Sequence, residues 1–135
     1  MRAEIVAVVA LGGAVGAVAR SLLDDAFPWE GTAFPWTTFA INVSGAVLLA
    51  LLPALPAVRR RDVLPPLLGT GVLGGFTTLS AYSEQSRHLL DGGHQLVAAT
   101  YLAGTVAACL VGIALADRLT TRAARSEFER EEGDL

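Results

Sequence analysis

The strongest constraint on this chain is how little of it lies outside four apolar windows, about Ile5 to Leu23, Trp36 to Leu55, Val63 to Leu90 and Leu96 to Leu119. Roughly 20 apolar residues cross a hydrocarbon core, and each window reaches that length. A hydrophobic fraction of 53%, with only 17% charged residues and a mean hydropathy of +0.51, fits a bundle of membrane spans better than a soluble domain. The expectation is an all-α membrane protein with four transmembrane helices in residues 1–121 and a polar cytoplasmic tail in residues 122–135. These windows leave no stretch for a separate soluble domain.

The first window imitates a signal peptide: Arg2, an apolar run, then Ala17-Val18-Ala19 as a small-residue cleavage site. Three further windows, several glycines and Arg20 directly after the supposed site favour a retained helix. The single cysteine, Cys109, lies within the fourth window, so neither a disulfide framework nor a cysteine metal site is available. The connections are short. Asp24 to Pro35 carries turn formers with Trp29, and Trp36 follows it; both indoles suit the headgroup level. Asp91-Gly92-Gly93 marks a turn.

Four spans put both termini on one side. Arg2, Arg59, Arg60, Arg61, Arg118, Arg122, Arg125 and Arg130 then fall with the termini, and only Arg20 and Arg87 fall opposite. This bias predicts cytoplasmic termini, with Asp24, Asp25 and Glu30 outside. The mild net charge of -3 argues against nucleic acid as a partner.

Polar residues inside spans face a cavity or another helix, because lipid cannot satisfy them. Arg20 follows Gly12-Gly13-Ala14-Val15-Gly16-Ala17. It either snorkels or serves a site, while Gly12 and Gly16 allow close helix approach. In the second window Thr38 and Asn42 are four apart and share a helix face; Asn42 is either a donor on a polar strip or interhelical glue. In the fourth, Tyr101, Thr105 and Cys109 recur every four residues, as a weakly polar track or as interhelical hydrogen bonding.

The third window is the unusual one. At about 28 residues it would extend about 42 Å as a helix, longer than the ~30 Å core. Pro65-Pro66 fits a helix start, and Gly74-Gly75 before Thr77 and Thr78 makes a weak point near its middle. A break there frees carbonyls able to coordinate a small cation, and such backbone must be buried in protein. A chain this small offers little cover, which argues for a subunit interface.

Taken in order, Gly12-Gly13-x2-Gly16-Ala17-x2-Arg20, Asn42-x2-Gly45 and Gly74-Gly75-Phe76-Thr77-Thr78-x-Ser80 resemble the Fluc/CrcB family of fluoride channels, and the resemblance covers the whole chain. It implies a bacterial cytoplasmic membrane protein that exports fluoride to relieve toxicity, built as an antiparallel dimer with two pores. It also implies a central Na+ held by the backbone carbonyls of Gly74 and Thr77. By the same resemblance Asn42 is the pore amide, and Tyr101, Thr105 and Cys109 are the polar track. The family's pattern Thr-Thr-Phe-Ser-x-Phe-Ser has Leu79 and Tyr82 here at its phenylalanine positions.

The chemistry is intelligible. Fluoride is small and tightly hydrated, so a pore must replace water with donors such as Thr38, Asn42, Ser80, Ser83 and Thr105. Aromatic ring edges carry partial positive charge and can face an anion; Tyr82 keeps one and Leu79 does not. A sequence that must insert both ways favours a small arginine asymmetry. This chain's bias points instead to one-way insertion and a heterodimer with an oppositely oriented paralogue, as in two-gene members of the family. Two rivals are a small multidrug-type transporter, which wants a deep carboxylate that neither Glu4 nor Glu84 supplies, and a non-conducting scaffold subunit. An enzyme is disfavoured because no nucleophile–base pair stands out, and His88 and His94 fall in the turn region.

Overall fold

The structure, a computed structural model, describes the backbone of residues 2–133 and the side chains of residues 2–120 and 122. Of the expected polar tail, every side chain except Arg122 lies outside the described residues. The chain is all-helical among the described residues. Helix α1 is Ala3–Ala26. Helix α2, Trp36–Leu51, runs on through a 3-10 turn, Leu52–Ala54. A short α3, Pro56–Arg59, follows. A π-wound segment, Pro66–Leu73, then leads into one α-turn, α4, Gly74–Phe76. After it come α5, Leu79–Asp91, and α6, Gln95–Gly133.

Three stretches are long and apolar enough to cross a membrane: Ala3–Ala26, Trp36–Ala54 and Gln95–Thr120. The third window is not one helix but two pieces, neither long enough alone. Its break falls at Thr77 and Thr78, both extended at ψ 156° and 120°, and not at the paired glycines, which are helical. The reason is local chemistry. Thr77 closes the first piece, its N–H (3.0 Å) and its hydroxyl (2.9 Å) both donating to the Leu73 carbonyl. Thr78 opens the second as an N-cap, its hydroxyl accepting from the Ala81 N–H at 3.1 Å.

The glycines serve packing. Helix α1 lies along the π segment and α4, with Gly12 and Gly16 buried on the contact face. A Cβ on Gly12 would stand 2.6 Å from the Leu67 carbonyl oxygen, and one on Gly75 would overlap the Gly13 carbonyl oxygen. The opposite face of α1 presents Leu11, Val15, Val18 and Leu22 outward, as lipid contact requires. Helix α6 packs against both α2 and α5.

The tightest part of the core lies where α5 meets α6. Leu89, Ala98 and Tyr101 are fully buried there, covered by Trp29, Phe34, Phe39 and Tyr82. Phe34 meets the Tyr101 ring edge to face at 5.3 Å. The connection between α1 and α2 is thus a lid of aromatic side chains and not a solvated turn. His88 joins it, 5.4 Å from Trp29 in a T-shaped pair and against Gly31, whose φ of +87° a side chain would strain. The turn after α5 is as expected, with Gly93 at φ +81°.

Candidate functional site

Asn42 organises the break. Its side-chain N–H donates to the Thr78 carbonyl at 2.9 Å, and its oxygen accepts from the Thr78 N–H at 2.8 Å. As the N-cap of α5, Thr78 has no intrahelical partner for its N–H, and the amide supplies one while also bonding its carbonyl, in the pattern of a backbone ladder. One amide hydrogen remains for another acceptor. Helix α2 therefore fixes the conformation of Thr78, and through its cap the start of α5. Thr78 also pairs its hydroxyl with Ser80 at 3.2 Å.

Arg20 holds the other side. Its Nε donates to the Gly75 carbonyl at 3.4 Å, while its guanidinium lies 3.9 Å from Asp24. A cation at the C-terminal end of the first half-helix suits the dipole there. This side chain is half-buried and bridges elements; it does not merely snorkel.

Beside the break runs an open groove of about 440 Å³. It gathers Asn42, Gly74, Thr77, Leu79, Tyr82, Thr105 and Cys109, residues drawn from α2, both pieces of the third window and α6. Gly74 is exposed on it, and Leu79 is 78% exposed. The groove is more open than enclosed, and its lining is mostly apolar, with Asn42, Thr77, Thr78 and Thr105 among it.

The remaining expected residues lie elsewhere. Thr38 is 2% exposed and borders a separate cavity of about 120 Å³ shared with Asp24 and Gln85. Tyr101 is buried in the aromatic core and donates its hydroxyl to Gln85 Oε1 at 2.8 Å. Ser80 and Ser83 are exposed and do not line the groove. Within the α6 set, then, Tyr101 makes the interhelical bond and only Thr105 and Cys109 reach the groove. The Thr105 hydroxyl donates back to the Tyr101 carbonyl at 2.6 Å.

Sequence reasoning missed Gln85. It lies three residues beyond Tyr82, so the two share a helix face, and that spacing was the available signal. Tyr82 itself donates to the Leu102 carbonyl at 2.8 Å and stacks at a tilt 5.1 Å from Tyr101. Removing this hydroxyl in Tyr82→Phe is expected to lower unfolding stability by about 1 kcal/mol, measured by denaturant titration in detergent. An unchanged midpoint would mean the hydroxyl contributes nothing to docking α5 on α6.

A helix interrupted inside an apolar bundle and clamped by an asparagine from the preceding span is a specific arrangement. Residues 7–116 match the family model described as "CrcB-like protein, Camphor Resistance (CrcB)". The chain belongs to the CrcB family.

Relatives of this CrcB chain include a Nocardia farcinica protein named fluoride-specific ion channel FluC 2, 42% identical over 126 residues, spanning 90% of each chain. Another, from Streptomyces avermitilis and also named fluoride-specific ion channel FluC 2, is 43% identical over 110 residues, or 78% of this chain and 68% of the relative. A third, fluoride-specific ion channel FluC 1 of Streptomyces coelicolor, is 44% identical over 117 residues, or 85% of this chain and 76% of its own. With three span-length apolar helices and this membership, the CrcB chain is a multi-pass membrane protein.

Proposed function

We propose that this CrcB chain is a subunit of a fluoride channel, exporting the ion across the cytoplasmic membrane to relieve its toxicity. The observation that carries the reading is the open groove at the helix break. A half-open, weakly polar wall inside an apolar bundle needs a second wall, and an oppositely oriented subunit supplies one. Along this wall the free amide hydrogen of Asn42 and the ring edge of Tyr82 offer a donor and partial positive charge to a desolvated anion. Both termini are cytoplasmic in this reading, following the arginine bias.

The residues at the break fit a sodium ion. Helix ends leave their last carbonyls without intrahelical donors, Gly74 is exposed there, and hard carbonyl oxygens suit an alkali cation. Gly74 and Thr77 would hold it, with a partner subunit completing the oxygen set. Such an ion supplies a fixed positive charge close to the anion path. The chain's own part is to hold those carbonyls outward, through the Asn42 clamp on one side and Arg20 on the other.

The partner is a paralogue of opposite orientation. The arginine asymmetry favours one-way insertion, and Leu79 lines the groove with an aliphatic side chain where the family's pattern has a phenylalanine. Leu79 also favours a second reading, in which this chain is a non-conducting scaffold subunit. Fluoride efflux from liposomes distinguishes them. The heterodimer predicts little efflux with this chain alone and rapid efflux when the partner paralogue is co-reconstituted. Rapid efflux from the purified chain alone would sink the heterodimer, and none in either case would favour the scaffold.

A further inference from the structure

Along the π segment, sharing Leu73 with the groove, lies a second, apolar furrow of about 400 Å³. One wall is Leu48, Leu51 and Leu55; the other is Leu68, Val72 and Leu73 of the π segment and its end. The furrow is lined by leucine, valine and alanine alone. Its two walls are joined by the chain from Leu55 to Leu68, so this connection closes one end of the furrow. The connection carries Arg59-Arg60-Arg61 against a single acid, Asp62, and all four side chains are exposed.

The connection is built and not slack. Val58 is 5% exposed and anchors α3. The Arg60 N–H donates to the Pro56 carbonyl at 3.1 Å, and the Leu64 N–H donates to the Arg61 carbonyl at 3.1 Å. These bonds fix the backbone that carries the arginines, which follow directly in the chain on Leu55 of the furrow and its α3 turn.

We propose that furrow and connection form a binding site for one anionic phospholipid, with an acyl chain along the leucines and the headgroup phosphate at Arg60 and Arg61. Hydrocarbon in the furrow leaves no polar atom unpaired. Guanidinium groups pair with phosphate oxygens through parallel N–H donors. A zwitterionic headgroup brings its own cation and gains less from the surplus of positive charge. Charge complementarity thus selects a net-negative lipid over a neutral one, and the furrow selects an intact lipid over a free phosphate ester. The site is independent of what the channel conducts.

Native mass spectrometry of the purified chain in detergent tests this, with phosphatidylglycerol and phosphatidylcholine of identical acyl chains as probes and glycerol 3-phosphate as the headgroup alone. Two arginines near the phosphate predict about tenfold tighter retention of phosphatidylglycerol. Arg60→Gln with Arg61→Gln should abolish that preference. Leu55→Trp, which leaves the arginines and the insertion bias untouched, should weaken retention of both lipids by filling the furrow. Equal retention of the two lipids by the parent chain, or a preference that survives the double substitution, would overturn the proposal. So would glycerol 3-phosphate competing as well as intact lipid, or Leu55→Trp disturbing subunit association with no change in lipid retention, since a protein surface would then cover the furrow.

Discussion

Asn42→Leu is expected to destabilise the folded chain by about 1–3 kcal/mol, because it leaves the buried Thr78 N–H unpaired and removes one of the bonds to the Thr78 carbonyl, which as an N-cap also accepts from its own helix. Both bonds are short, at 2.8 and 2.9 Å, and the Thr78 residue is 9% exposed, so water is a poor substitute. Leucine keeps the shape and removes the hydrogen bonding, which isolates the effect. Denaturant unfolding in detergent, followed by far-ultraviolet circular dichroism, measures the stability, and liposome efflux with the partner present measures the flux. Asn42→Asp separates the two roles. Its carboxylate still accepts from the Thr78 N–H but donates nothing and repels an anion, so it should keep more of the stability than leucine while still losing flux. A leucine variant with parental stability would show that Asn42 is not the clamp of the break.

That clamp also shows what could be seen in the sequence and what could not. Apolar windows report local composition, so the spans of α1, α2 and α6 were legible to within a few residues. A weak point in the third window was legible for the same reason. Its place within the stretch Gly74 to Thr78 was legible too, but not which of those residues leave the helix. Paired glycines lower helix propensity wherever they stand, yet Gly74 and Gly75 remain helical, since the break is decided by Thr78 pairing with a residue 36 positions away. Gly75 is required by the approach of the Gly13 backbone, and no reading of the third window alone contains α1. Asn42, Thr105 and Cys109, members of the four-residue spacings on α2 and α6, line one groove. Thr38 and Tyr101, on the same spacings, lie away from it, because the aromatic lid from residues 27–35 buries that end of both helices. Trp29 looked like an interfacial anchor; its partner, His88, comes from far along the chain, as does Tyr101 against Phe34.

Gly16→Val should be the most disruptive single change on α1, with an expected loss of about 3 kcal/mol or outright failure to assemble. A Cβ at Gly16 would overlap the Val72 carbonyl oxygen and stand 2.8 Å from the Phe76 nitrogen. These are backbone atoms, so no side-chain rotation relieves the clash and the helices must separate. Separation also carries Gly75 away from Arg20, whose bond to that carbonyl is already 3.4 Å, and so loosens the end of the half-helix that presents Gly74 and Thr77. Gly13→Ala is the control, since a Cβ there meets only the Gly71 carbonyl oxygen at 3.9 Å. Alanine at that position should leave the chain as stable as the parent or better by up to about 1 kcal/mol, from helix propensity alone. Gel filtration in detergent and thermal unfolding of the two variants side by side read the difference. Equal stability of Gly16→Val and Gly13→Ala would mean that α1 does not seat against the π segment, and the placement of Arg20 at the break would fall with it.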